Sequence, residues 1–104
     1  MTVPTEPVAG TWVTERDWRR TVLDYAQLRG WRTYWTWRSD HSPRGFPDLV
    51  LVRGERLVFA ELKRHDGALT VSQLAWLADL ERVPGVEVFT WRPADWVAVQ
   101  AVLA

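Results

Sequence analysis

The chain has no cysteine, which excludes disulfide staples and every metal site built on thiolates. It carries only two histidines, His41 and His65. They stand far apart and lack the short helical spacing of a zinc-binding pair, so neither reads as a zinc ligand. Net charge is absent as well, with 13 Lys+Arg against 13 Asp+Glu, which argues against a histone-like or tail-like electrostatic binder. No apolar run approaches the ~20 residues of a membrane span. The N-terminus lacks the charged-then-apolar layout of a secretory signal. There are no internal repeats and no low-complexity tract.

What is present fits one domain of 104 residues with a real core. The charge is uneven. Residues 1–65 hold 11 Lys/Arg against 8 Asp/Glu, a balance of +3, and residues 66–104 hold 2 against 5, a balance of −3. Eight tryptophans are many for this length. Most must be core, and a few can serve a partner surface.

Residues 1–13 show no periodicity and read as a loose arm; the folded domain is expected over 14–104. Thr14, with Asp17 three residues on, predicts a helix start, and Trp18, Val22, Tyr25 and Ala26 recur at helical spacing until Gly30. Trp31 to Trp37 reads as a strand. After a Pro/Gly loop, Asp48–Val52 and Leu57–Lys63 predict a hairpin, its first strand buried on both faces. Thr70 and Gln73 form a capping box that opens a second helix, with Leu74, Leu77, Ala78 and Leu80 on its apolar side. Val86–Trp91 is a fourth strand and Pro93 to Leu103 a closing helix. The order is αβββαβα, an α/β fold with a parallel crossover between the third and fourth strands.

The chemistry concentrates in the hairpin. Asp48 heads one apolar run; Glu61 and Lys63 stand two apart on the other and project to the same face. A tight turn at Arg53-Gly54-Glu55-Arg56 brings two carboxylates and one ammonium into a single pocket. Carboxylates so placed repel unless a hard divalent cation lies between them. The bland alternatives are a turn role for Asp48, a surface ion pair for Glu61 and a solvated Lys63. A carboxylate at the head of a buried strand needs a partner, which favours metal ligation.

The pattern Pro47-Asp48 … Glu61-Leu62-Lys63 resembles the PD-(D/E)XK nuclease signature. The segment Arg38 to Asp48 and the stretch Val88-Phe89-Thr90-Trp91-Arg92-Pro93 resemble the VRR-NUC branch, especially its small stand-alone phage and bacterial members. The likeness runs in order from Glu15 to Leu103. It implies a restriction-endonuclease-like αβββαβ core with a mixed four-stranded sheet and a C-terminal helix, and a Mg²⁺- or Mn²⁺-dependent DNA endonuclease with no organic cofactor. Asp48 and Glu61 would hold the metal with the Leu62 backbone carbonyl as a third oxygen. Lys63 would orient the attacking water or stabilise transition-state charge. Glu15 matches an additional acidic position, as a direct or water-mediated metal contact, although the helix dipole alone favours an acid there. Gln73 matches a glutamine of the superfamily, although it is also the reach-back residue of a cap. Both roles coexist only if its amide bridges the two groups.

Arg38 is a candidate DNA phosphate contact, and in this branch the Arg38-Ser39-Asp40 segment looks like part of the site wall. His41 and Arg44 are candidate phosphate contacts, as are Arg16, Arg19 and Arg20 beside Glu15; each of the last three reads equally well as a solvated helix position. So small a domain has little surface for reading sequence, which favours branched or Holliday-junction-like DNA over a specific duplex site. Stand-alone members of the branch resemble dimeric junction resolvases, so a homodimer is expected. The rivals are flap, nicking or general nuclease specificity, and a catalytically idle DNA-binding module. The expected location is the cytoplasm of a bacterium or phage-infected host, with no membrane partner.

Overall fold

The computed structural model describes residues 13–36 and 40–104. Most of the N-terminal arm, and the start of the loop before Pro47, therefore lie outside the described residues. Thr14 sits in extended backbone and its hydroxyl accepts the Asp17 N–H at 3.0 Å, which caps helix α1 (Glu15–Leu28). Along α1, Trp18, Val22, Leu23, Tyr25 and Ala26 are buried, the single apolar stripe that a 3.6-residue period produces. Strand β1 (Arg32–Trp35) follows, shorter than the aromatic run predicts. Strands β2 (Leu49–Arg53) and β3 (Arg56–Leu62) form the expected hairpin, closed by the Arg53↔Arg56 pair. Gly54 takes φ +59 in that two-residue turn, where a left-handed first position matches the twist of the strands.

Helix α2 (Val71–Glu81), strand β4 (Val86–Trp91), a 3₁₀ turn (Pro93–Asp95) and helix α3 (Trp96–Leu103) complete the chain. The predicted closing helix is thus split. Pro93 opens a tight turn, and the Arg92 N–H donates to the Asp95 carboxylate at 2.8 Å before α3 begins.

The four strands make one mixed sheet in the order β1-β2-β3-β4. β2 is antiparallel to both β1 and β3, and β3 is parallel to β4. α2 is the crossover between the two parallel strands and packs on β4. Register pairs Leu49 with Ala60 and Leu51 with Val58. These four and Leu62 share one face and are buried under α1 and α3, with Trp18, Val22, Trp96, Val99 and Leu103. Full burial of each such aliphatic side chain stabilises by about 1.5–3 kcal/mol. Trp96 meets Trp18 and Tyr25 edge to face, with centroids at 5.9 and 5.4 Å. The Trp18 and Trp31 indoles donate to the carbonyls of Trp91 (3.0 Å) and Leu103 (2.9 Å), so two of the largest core residues keep their one polar group satisfied.

The opposite face corrects two expectations. β2 is not buried on both sides: Leu49 and Leu51 are buried, but Val52 is 40% exposed. Helix α2 does not bury an apolar side of four residues; only Leu77 is buried, and Leu74 is 52% exposed. One short helix cannot cover a four-stranded sheet. Among the described residues no helix is long and apolar enough to cross a membrane.

Candidate active site

Asp48 immediately precedes β2 and Glu61 is the penultimate residue of β3. The Leu49↔Ala60 pairing, extended by one residue, sets them opposite each other on the face that α2 only partly covers. Each carboxylate takes an amide from the neighbouring strand. The Asp48 N–H donates to Glu61 Oε1 at 3.2 Å, and the Leu62 N–H donates to Asp48 Oδ2 at 2.8 Å. Glu61 is 1% exposed, the sole buried charged residue among those described.

The second oxygen of Glu61 is held from α2: Gln73 Nε2 donates to Glu61 Oε2 at 2.6 Å. The other end of the same amide closes the cap, since Gln73 Oε1 accepts the Thr70 N–H at 2.9 Å and Thr70 Oγ1 accepts the Gln73 N–H at 3.1 Å. A backbone N–H can only donate, so the orientation of the amide is fixed. The cap and the site contact, alternatives from sequence, are one side chain bridging both. Lys63, the single lysine of the chain, lies just beyond β3 on the same side. Its Nζ is 3.9 Å from Glu61 Oε2 and its side chain is largely buried.

A buried carboxyl beside a second, half-buried one does not carry charge cheaply. Loss of water pushes the Glu61 carboxyl up to about 8, the charge of Asp48 adds to this, and Lys63 opposes it. Asp48 is raised mainly by burial, against the pull of the Leu62 N–H, Glu61, Lys63 and Arg19. At neutral pH the pair therefore shares a proton. The two carboxylates are also the adjacent oxygen donors that could hold a hard divalent cation.

A cleft of about 410 Å³ runs past Gln73 and is lined by Asp40, Ser42, Arg44, Gly45, Thr70 and Ser72. Arg44 therefore faces a cleft that reaches Gln73, whose amide holds Glu61. Gly45 has φ +90, and a Cβ there would stand 2.5 Å from the Ser72 carbonyl group, so only glycine lets this loop press on the start of α2.

Other candidates are not drawn together. Glu15 is exposed on the first turn of α1, and the described residues form no group of three or more His, Cys, Asp or Glu side chains. His41 is exposed beside Asp40, at 3.6 Å. Arg38 lies outside the described residues. Arg16 and Arg20 are exposed on α1, while Arg19 is half-buried and within electrostatic reach of Asp48.

Sequence reasoning missed the role of Arg92. Its guanidinium donates to the carbonyls of Arg64 (2.7 Å) and Gly67 (2.6 Å), clamping the segment that follows Lys63. The available signal was slight: an arginine directly after β4, the strand paired in parallel with the one that ends before Lys63. Set against protein-family models, curated proteins and solved structures, the chain gives no match.

Proposed function

We propose that the chain is a Mg²⁺- or Mn²⁺-dependent DNA endonuclease of the VRR-NUC type in the PD-(D/E)XK superfamily, on a restriction-endonuclease-like core, and that it favours branched or junction DNA. The observation that carries this is the Asp48–Glu61 pair, cross-linked by the Asp48 N–H on Glu61 and the Leu62 N–H on Asp48, with Lys63 Nζ at 3.9 Å from Glu61 Oε2. An isolated acid pair inside a protein is costly unless a cation or a proton offsets it, and Lys63 at that distance offsets only part of it.

Asp48, Glu61 and the Leu62 carbonyl would hold the metal, which when bound supplies an activated water and polarises the phosphate. The protein's own groups do the rest. The Leu62 N–H and the Gln73 amide fix one oxygen of each carboxylate, so the acids are held in position before substrate arrives. Lys63 presents a positive point charge where the nucleophile and the scissile phosphate meet, to orient the one or to stabilise charge on the other. Arg44 in the adjoining cleft is suited to a neighbouring backbone phosphate. A homodimer would set two such sites on opposing strands of a two-fold junction. Exposed apolar side chains near α2, including Trp76 and Leu74, offer area for such a contact.

The test is cleavage of a labelled four-way junction, a flap and a plain duplex, with Mg²⁺, with Mn²⁺ and in EDTA. Metal-dependent cutting, strongest on the junction, is expected. Undiminished activity in EDTA would refute the mechanism. Equal cutting of junction and duplex would move it to a general endonuclease. Binding without cutting in either metal would make it a DNA-binding module on this fold.

A further inference from the structure

A second cavity, of about 340 Å³, opens between α1 and β1. Arg16, Arg19, Arg20, Asp24 and Gln27 of α1 line it together with Trp35 of β1. The three arginines fall at i, i+3 and i+4 and so occupy one side of the helix. Like charges at that spacing cost helix stability, by about 0.2–0.5 kcal/mol a pair. None of the three makes an ion pair or a hydrogen bond among the described residues. Arg53, Arg56 and Arg92, by contrast, are held within the fold: Arg53 and Arg56 donate to carbonyls at the end of α3, Arg56 also pairs with Glu87 at 2.7 Å, and Arg92 donates to the Arg64 and Gly67 carbonyls.

Trp35 supplies the other half. It is half-buried, packed against the core while also lining the cavity. An indole beside unpaired guanidiniums is the combination that binds a nucleotide: cations for the phosphate and a flat apolar surface for the base. Asp24 and Gln27 stand further along the helix; a carboxylate and an amide there offer acceptors to the amino groups on a base edge. The volume lies near the bottom of the ~300–1,000 Å³ range of small-ligand pockets, which suits one nucleotide and not a duplex. A paired base keeps its faces inside the stack, so only an unpaired one can reach Trp35.

We propose that the α1–β1 groove binds an unpaired nucleotide of a DNA strand, with its phosphates on Arg16, Arg19 and Arg20 and its base against Trp35. That this strand belongs to the substrate rests on the nuclease function proposed above. It then narrows the substrate to DNA with a single-stranded segment near the scissile bond, because Trp35 pairs with Leu49, the residue after Asp48, and so lies at the same end of the sheet as the acid pair.

Anisotropy titrations in EDTA test the groove without any cleavage, using a short fluorescein-labelled oligothymidine and a blunt duplex. Trp35→Leu, which keeps an apolar contact with the core, should weaken oligothymidine binding roughly ten-fold and leave duplex binding unchanged. Arg16→Gln with Arg20→Gln, both exposed, should weaken it and flatten the salt dependence by about 1.4 log units per log unit of salt. Should Trp35→Leu fail to fold, the arginine pair decides alone. Unchanged oligothymidine binding and salt slope in the arginine pair, or equal losses on single strand and duplex, would overturn the proposal. Loss of the groove with metal-dependent cleavage intact would leave the nuclease standing. Single-strand binding through the groove by a protein that cuts nothing would do the reverse.

Discussion

The two faces of the sheet are built from the same strands and treated in opposite ways. Under α1 and α3, residues from β2 and β3 alternate inward and are sealed, with Leu49, Leu51, Val58 and Ala60 all at 0% exposure. Toward α2 the intervening positions stay partly open, Val52 and Tyr34 among them. At the end of this second face Asp48, Glu61 and Gln73 meet. The closed face holds the fold together with apolar contacts. The open face keeps a costly acid pair, linked through Gln73 to an open cleft. Apolar packing and the candidate site are divided between the two sides of one hairpin, at alternate residues.

The largest effect should come from the open face and appear in activity. Asp48→Asn or Glu61→Gln should lower metal-dependent cleavage by more than about 100-fold, since even partners of metal ligands are worth 10–100-fold. Melting temperature near neutral pH should hold, because the pair already carries a proton there and either amide is close in shape to the acid it replaces. A loss of cleavage that merely tracks unfolding would erase the distinction between the faces.

Next comes the closed face. Trp18→Ala should destabilise by about 3–5 kcal/mol in urea melts, from the cavity and the lost bond to the Trp91 carbonyl. Trp76→Ala on α2, where the ring is 36% exposed against Phe46, should cost roughly 1 kcal/mol or less. Equal costs would contradict the division.

A smaller effect is in pH. Folding raises the Glu61 carboxyl from its ordinary 4.5 to about 8, so the native state binds more protons than the unfolded chain between those values. Metal-free stability should therefore be highest below about pH 4.5, as far as this group is concerned, and should fall by roughly 1–3 kcal/mol as pH rises through 8. Glu61→Gln should flatten that slope in denaturant melts. A slope unchanged in Glu61→Gln would place the titration elsewhere.

The smallest is in the bridge between the faces of α2 and β3. Gln73→Ala removes half of a capping box and should cost about 1 kcal/mol. Gln73→Glu keeps the acceptor for the Thr70 N–H but puts a carboxylate against Glu61. If the bridge matters, Glu should be worse than Ala for cleavage and better for helix capping. The reverse order would reduce Gln73 to a cap.

Much of this was legible in the residues. Thr14 and Thr70 mark helix starts because their hydroxyls are well suited to orphan amides, and both caps form. Arg53-Gly54-Glu55-Arg56 forces a two-residue turn, and that turn alone sets the register that brings Asp48 against Glu61. What stayed hidden depends on coverage. Leu-Val-Leu-Val reads as doubly buried because Val52 is as apolar as Leu51; only the size of α2 leaves it exposed. The apolar residues of α2 misled for the same reason. Arginine roles were also illegible one by one. Arg53 stacks over Trp31 at 4.6 Å and ties the end of α1 to the end of α3, whereas Arg16 and Arg20 face open space, and nothing local distinguishes them.

On the proposed function, Asp48 and Glu61 hold a single cation, a proton until a metal replaces it. Calorimetric titration of Mn²⁺ at pH 7, in buffers of different ionisation enthalpy, measures both events at once. The account predicts a single site that releases about one proton per ion, since a carboxyl pushed up to about 8 is mostly protonated there. Both the heat and the proton should vanish in Asp48→Asn. Binding with no proton release, or binding undiminished in Asp48→Asn, would contradict it.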